Sequence, residues 1–458
     1  MKKIILFLGI IAFSGPLFAQ SWLELGTGIN ALNANDNIYS ICIDHSGKLY
    51  AGGAFYGPDS LSYVAQWDGT NWTKLGSIYE SDTASINYIL SLCLDDSGYL
   101  YAAGFFTNVY WHEYVAKWDG TSWQELGTGG TTGLMIYNSI QSICTDKFGN
   151  VYAAADYYDF GSVPRTGVLK WNGGSWSELG SGSVGLNANY EIYSICADSF
   201  GNVYAAGGFD DSTGKCYVAK WNGSSWSELG QGFEGLGASI KTMCLDGSGN
   251  VYVGGSFYDT VTNLPFIGKW NGLAWTKLET GIDPSANILT ICTDNSGNVY
   301  AAGLIINSGY SYVIKWDGIT WGYFCTGVSD SEGTGNRIHT ICAQNTGEIY
   351  AAGSFYDVNS KYYVATNNTN VGISQPINNE NEITIYPNPN QGVFTLLVSS
   401  TIDEKVTVTV TNMVGEKVKE FTTVTDIAAD IILNQPAGIY FLSATTVHNK
   451  YLAKIIIE

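Results

Sequence analysis

Ser21-Trp22-Leu23-Glu24-Leu25-Gly26 stands alone near the start of a 458-residue chain. Six repeats follow, each closing on a Trp-anchored segment of the same kind, such as Ser122-Trp123-Gln124-Glu125-Leu126-Gly127 or Ser225-Trp226-Ser227-Glu228-Leu229-Gly230. A seventh repeat stops at Tyr363-Val364-Ala365-Thr366, without that segment. A linear stack of modules has no use for a spare closing segment at its far end. A closed ring does, because the orphan supplies the strand the last repeat lacks, removes a free sheet edge and ties the N-terminus to the C-terminal blade.

One cysteine slot marks the period. Cys42, Cys93, Cys144, Cys196, Cys244, Cys292 and Cys342 follow one another at intervals of 51, 51, 52, 48, 48 and 50 residues, the spacing of a propeller or solenoid. Within a unit, Tyr193-Ser194-Ile195-Cys196-Ala197-Asp198 alternates like a strand, turns at Ser199-Phe200-Gly201-Asn202 and continues as Val203-Tyr204-Ala205-Ala206-Gly207. Tyr217-Val218-Ala219-Lys220-Trp221 then turns through Asn222-Gly223 into the Trp226 strand. Four strands of about five residues, joined by tight Asp, Asn and Gly turns, describe one blade. The expected fold is therefore all-β: a seven-bladed β-propeller closed by an N-terminal strand.

Composition narrows the setting. Met1-Lys2-Lys3, the apolar run from Ile4 to Phe13 and Leu17-Phe18-Ala19-Gln20 form a secretory signal with cleavage expected after Ala19. No later apolar run approaches the ~18 residues of a spanning helix. With 21 Lys and Arg against 41 Asp and Glu, the net charge is −20, which argues against nucleic acid or anionic lipid as partners. Nine cysteines in an exported chain first suggest disulfides. Seven share one repeat slot, however, and equivalent slots on neighbouring repeats do not bring Cα atoms within the ~4.4 to 6.8 Å a bridge demands. They read as small buried hydrophobes, and Cys216 and Cys325 lie in different slots and are not paired either.

The turns D-x-x-G at Asp44, Asp95, Asp146, Asp198, Asp246 and Asp294 lack the alternating oxygen ligands of a calcium loop. They read as Asx turns with Gly where φ is positive, and blade seven carries Gln344 instead. Thirteen of the 14 Trp fall in two repeat slots and serve packing; only Trp111 is off the pattern. In its D-x-x-G-N-V-Y strand pair the repeat resembles NHL-type and related bacterial propellers, a resemblance that implies a fold rather than an activity.

Past Ala365 the repeat signature ends, and Asn367 to Glu382 has the composition of a linker. Alternating apolar positions between Gly and Asn turns then indicate a small Ig-like β-sandwich. It carries Tyr386-Pro387-Asn388-Pro389-Asn390-Gln391-Gly392-Val393-Phe394, then Gly415 within Asn412 to Val418, then Gly438-Ile439-Tyr440, and finally Lys454. These motifs closely resemble the type A C-terminal sorting domain of the type IX secretion system of Bacteroidetes-like bacteria. The resemblance implies handling by that secretion machinery, passage across the outer membrane, and release or surface attachment. The chain thus divides into a signal peptide at 1–19, a propeller at 20–366, a linker at 367–382 and a sorting domain at 383–458.

A ligand is expected on one face. First-to-second and third-to-fourth turns share one end of the ring and are short and uniform; second-to-third loops and blade connections share the other and vary. Phe106 to Trp118 spans 12 residues and Tyr157 to Trp171 spans 14. The variable loops hold Tyr56, Asn108, Trp111, Tyr158, Asp159, Asp210, Asp211, Tyr258, Asp259, Asn307, Tyr356 and Asp357. Six of these, Asn108, Asp159, Asp211, Asp259, Asn307 and Asp357, recur at one slot, as an Asx turn or as a polar ring for sugar hydroxyls or a cation. The aromatic faces suit stacking on pyranose rings.

Catalysis finds little support, and no catalytic residue, metal ligand or cofactor is assigned. His45, His112 and His339 have no second His or Cys at metal-ligand spacing, and no nucleophile elbow or phosphate loop is present. The leading expectation is a secreted or surface-attached binding protein for glycans or other extracellular polymers. The alternatives are a polysaccharide hydrolase or lyase built on carboxylates from separate blades, and a structural adhesion protein that binds surface proteins.

Overall fold

In the computed structural model the described residues run from 22 to 367 and from 383 to 457, except for short loop segments, the longest being 79–86, 128–134, 280–286 and 325–336. The segments expected to form a signal peptide and a linker lie outside them, apart from Asn367. The chain divides into two compact units, Met1–Asn368 and Thr369–Glu458.

The first unit holds seven four-stranded antiparallel sheets among its described residues. Blade four shows the plan: Ile192–Ala197, Val203–Asp210, Cys216–Trp221 and Trp226–Glu228, in sequence order across the sheet. Blade seven is completed from the other end of the chain. Leu23 pairs with Thr366 and Glu24 with Ala365, and the Leu25 amide donates to the Val364 carbonyl at 2.8 Å. The ladder also runs past 366, since Asn367 and Ile349 exchange bonds through the Asn367 amide and side chain.

Neighbouring blades are joined by two recurring hydrogen bonds. Toward the rim, in five of the six Trp pairs the second Trp donates its indole N–H to a Leu carbonyl in the preceding blade: Trp72 to Leu25, Trp123 to Leu75, Trp176 to Leu126, Trp226 to Leu179 and Trp275 to Leu229, at 2.5 to 2.7 Å. In the sixth, the Trp321 indole N–H is buried without a partner among the described residues. Near the axis, a Ser or Thr hydroxyl on each first strand accepts the backbone amide of the next. Ser40 takes Leu92, Ser91 takes Ile143, Ser142 takes Ile195, Ser194 takes Met243, Thr242 takes Ile291, Thr290 takes Ile341 and Thr340 takes Ile41, at 3.0 to 3.2 Å. The last bond joins residues 299 apart and closes the circle.

Those amides are free to cross between blades because every first strand bulges just before the hydroxyl. Pairing skips from Ile38 to Ser40 in blade one, and at the equivalent point in the other six. The bulge brings the incoming carbonyl onto the second strand. At Gly53, Gly104, Gly207, Gly255, Gly303 and Gly353 an added Cβ would lie 1.9 to 2.2 Å from it. Blade three has Ala155 there, and its first strand, Met135–Thr145, enters with an extra irregularity between Ile136 and Ile140.

The D-x-x-G turns are structural. Asp198 Oδ1 accepts the Phe200 and Asn202 amides, Oδ2 accepts the Tyr204 hydroxyl at 3.1 Å, and Gly201 has φ +83°. In blade seven, Tyr350 donates instead to Glu348 and Gln344. The seven slot cysteines and Cys216 are free, and burial pushes the slot thiols well above their usual range. Each slot thiol packs against hydrophobic side chains of an adjoining blade, as Cys42 does against the blade-two cluster.

The second unit stacks a sheet of Ile383–Tyr386, Val393–Val398 and Ala429–Ile432 with a sheet of Lys405–Thr411, Lys417–Val424, Gly438–Thr445 and Lys450–Ile457. Phe394, Leu396, Val408, Tyr440, Leu442 and Ile455 form its core.

The closing strand carries an unfavourable pairing. In blades one and five the outer strand sets Lys74 against Asp59 and Lys277 against Asp259, and in blade two Glu125 accepts from Asn108. Blade seven sets Glu24 near Asp357, and burial followed by that carboxylate raises the Glu24 pKa to about 7. An acid raised in the fold is tolerated when protonated, so the closure weakens as pH climbs from about 4.5 to about 7. Glu24→Gln is expected to remove that component, so the stability difference between parent and variant grows across this window and stays flat above it. A difference independent of pH in thermal unfolding counts against the pairing.

The bulge makes a second expectation. Gly207→Ala should destabilise the propeller by about 1–3 kcal/mol, the cost of a forced backbone shift in a packed interior, whereas Ala155→Gly should cost no more than about 1 kcal/mol. Equal losses in denaturant unfolding would remove the proposed reason for glycine at this register.

Candidate ligand-binding face

The loop residues expected to bind are distributed unevenly. Asn108 accepts the Tyr110 and His112 amides, Asp211 those of Thr213 and Lys215, Asp259 those of Val261 and Thr262, and Asp357 those of Asn359 and Lys361. These four side chains open turns, and Asp259 is also paired with Lys277. Asp210 lies at the end of its strand, where its amide bonds the Asn189 side chain. Asn307 pairs with Tyr310 through the backbone. Trp111 and Asp159 fall outside the described residues. Among the tyrosines, Tyr56 is about half exposed, Tyr258 is partly exposed, Tyr158 packs tilted against Tyr137 with ring centres 4.2 Å apart and Tyr356 against Tyr362 at 5.5 Å.

A second group lies closer to the axis. The first strands neighbour one another all the way round, and each enters from the variable face, so its bulged residue sits at the mouth of the ring on that side. The seven are Tyr39, Leu90, Gln141, Tyr193, Lys241, Leu289 and His339. All are partly exposed. Sequence reading missed them because the alternating pattern assigned this slot to an ordinary strand. The signal was nevertheless present: in I-x-[S/T]-[I/L/M]-C the flanking residues barely change over seven blades, while x is aromatic, aliphatic, amide or cationic.

These side chains meet across blade boundaries. Tyr39 packs edge-on against His339 at 5.2 Å and against Tyr88 at 6.0 Å. Burial, aided by Arg337, lowers the His339 pKa to about 4, leaving the imidazole neutral near pH 7. Burial raises the Tyr39 phenol, as do Asp36, Tyr88 and Tyr362. Across the ring, Lys241 Nζ stands 3.6 Å from the centre of the Tyr193 ring; burial lowers its pKa against an opposing pull from Glu191. Gln141 donates to Ser139 at 2.6 Å. A small recess beside it is lined by Ser139, Gln141, Asp156, Thr166 and Glu191. The mouth therefore combines a neutral aromatic arc with an amide and one desolvated cation.

Glu113 is a further buried group on this face. Its Oε2 has no hydrogen-bond partner, and burial lifts its pKa to about 7. Among the described residues no three or more His, Cys, Asp and Glu are gathered to hold a metal ion, and no helix is long and apolar enough to cross a membrane.

In the second unit the sorting motif is a clamp. Asn388 donates to the Lys454 carbonyl at 2.7 Å and accepts the Ile456 amide at 2.8 Å. Asn390 accepts the Gly392 amide, its own amide donates to Ile456, and Gly392 turns with φ +83°. The Phe394 ring then enters the core, and the Tyr440 hydroxyl donates to the Pro436 carbonyl. Gly438 begins the strand that carries Tyr440. The backbone of Tyr386 pairs with Thr395; Pro387, Pro389 and Gly415 lie outside the described residues.

Residues 384–458 match the model of the secretion system C-terminal sorting domain. Among solved structures, the chain is similar to PorZ, a surface component of the type IX secretion system of Porphyromonas gingivalis, with 14% identity and a TM-score of 0.51. That likeness covers 92% of this chain and 59% of PorZ, so the chain spans about three fifths of that protein's length. A puromycin-hydrolysing peptidase of Mycobacterium tuberculosis is similar at 12% identity and a TM-score of 0.50, over 83% of this chain and 60% of the peptidase. Identities this low bear on the fold alone. No curated protein is similar enough in sequence to count as a relative. The C-terminal unit belongs to the type IX secretion sorting-domain family, and the chain is a β-propeller protein carrying that domain for export to the cell surface or beyond.

Proposed function

We propose that the protein is a binding protein, exported behind a signal peptide and then released or held at the cell surface, whose propeller takes a glycan or another uncharged extracellular polymer at the axial mouth. The observation that carries this reading is the variable slot of the first strands, which collects Tyr39, His339, Tyr193, Lys241 and Gln141 on the face with the varied loops. Tyrosine faces and a neutral imidazole suit the apolar faces of pyranose rings, and the amide and ammonium suit their hydroxyls. Tyr56, Tyr158, Tyr258 and Tyr356 form an outer collar where a longer chain makes further contacts.

The hydrolase reading draws on Glu113, a carboxyl that burial raises to about 7, the range of a general acid. Its buried, unpartnered oxygen is closed to a substrate as the loop stands, so binding without turnover is the better reading. A glycan array probed with the full chain is the test, followed by Tyr39→Ala combined with His339→Ala. The expected result is binding to one glycan class, weakened at least ~10-fold, or about 1.4 kcal/mol, at an unchanged unfolding midpoint. Mouth variants that bind as tightly as the parent, or reducing ends released from a bound polysaccharide, sink the proposal. Retention of a cell-surface protein with no glycan bound favours the adhesion reading instead.

A further inference from the structure

The opposite face, where the tight turns gather, is uniform in length but not in chemistry. At the third position of the first turn five blades carry Ser46, Ser97, Ser248, Ser296 and Thr346, whereas blades three and four carry Phe148 and Phe200. At the third position of the Trp-linking turn the early blades carry Thr70, Thr121, Gly174 and Ser224, whereas blades five and six carry Leu273 and Ile319. The hydroxyls at these slots reinforce their turns: Ser46 bonds Asp44 at 2.7 Å, Thr70 bonds Asp68 at 2.8 Å and Ser224 bonds Asn222 at 2.9 Å. The four apolar residues give up that bond and stay largely exposed, although Phe148 lies beside Gly201 of the next blade. Phe148 is 65% exposed, Phe200 83%, Leu273 88% and Ile319 80%.

Single exposed apolar residues are ordinary. Four at turn tips on one face of consecutive blades, each replacing the polar residue the repeat otherwise uses, are not. The turns that carry them are rigid, because each is fastened by an Asp or Asn side chain accepting two amides, as Asp146 accepts those of Phe148 and Asn150. Phe148 and Phe200 meet across one blade boundary, both rings lying within 6 Å of Lys147 Nζ, whereas Leu273 and Ile319 stand on the two blades that follow. A fluid phase can close around each tip. Charge on the first turns of these blades is muted, because the carboxylates of Asp146, Asp198, Asp246 and Asp294 are turned inward to amides and tyrosine hydroxyls, while Asp317 stays exposed beside Ile319. The Lys147 ammonium lies 5.2 Å from the Phe148 ring and 5.9 Å from the Phe200 ring.

We propose that this face docks on a lipid surface of low net charge, with Phe148, Phe200, Leu273 and Ile319 inserted among the headgroups and Lys147 against a phosphate. A net charge of −20 opposes an anionic membrane, so attachment is driven by apolar insertion and is insensitive to salt. The test is co-sedimentation of the full chain with phosphatidylcholine–phosphatidylethanolamine vesicles, compared with vesicles enriched in phosphatidylglycerol. Phe148→Ser with Phe200→Ser restores the residue of the other blades, so the variant is expected to fold with unchanged or higher stability. Binding to the zwitterionic vesicles that persists in high salt and falls at least tenfold in the double variant supports the proposal. Absence of vesicle binding, binding only to anionic vesicles that salt abolishes, or equal binding by the variant overturns it. In the first case, capture of a protein by the parent and not the variant would assign the tips to a protein partner.

Discussion

The propeller depends on one backbone amide per blade, donated to a hydroxyl on the blade before it. Seven such bonds, from Leu92 to Ser40 round to Ile41 to Thr340, hold the first strands together at the axis. Each amide is available only because its strand bulges beforehand, and each bulge needs a second strand with almost no side chain opposite the incoming carbonyl. The hydroxyl, the bulge and the glycine are therefore one device. Its by-product is functional: the residue at the bulge makes no regular pairing on either side, and it is delivered to the mouth of the ring. Closing the ring and presenting seven freely variable side chains are the same structural event.

The Trp pairs act at larger radius by a different bond. An indole N–H donated to the previous blade's Leu carbonyl uses the polar edge of a residue whose ring is otherwise packing surface. The orphan segment belongs to this system as well as to blade seven, since the Leu25 carbonyl accepts Trp72 of blade one. The N-terminal strand thus seals the last blade by pairing and the first by accepting an indole, which is why a fragment of six residues matters to a ring of this size.

Much of this was legible in the sequence. The period, the missing segment and the Y-P-N-P-x-x-G-x-F element are patterns of residue type, and residue type survives without coordinates. The Asx turns at Asp44 and Asp198 were legible for the same reason, because Asp followed by a Gly at positive φ is chemistry on adjacent residues. The mouth was not. Strict alternation assigns Tyr39 and Lys241 to a strand face, and only a one-residue slip in pairing reassigns them; a slip is set by the opposing Gly and the neighbouring blade, neither of which is local. The apolar turn tips escape for another reason: loop length does not register them, because Phe200 changes the chemistry of a turn without changing its length.

Cysteine chemistry follows from the ring as well. An exported chain with an odd number of thiols invites mispairing, because the thiolate is the species that attacks a disulfide. Here each slot thiol sits two residues past the axial hydroxyl, on the strand whose amide is tied to the neighbouring blade, and burial holds it in its protonated form. Equivalent positions on adjacent strands keep the thiols close enough to raise one another's pKa, yet all remain free. Protection is a property of the closed ring rather than of any one blade, since each thiol packs on a blade other than its own. The strand that completes blade seven therefore helps to keep Cys342 and Cys42 inert, because they lie on either side of the junction it seals.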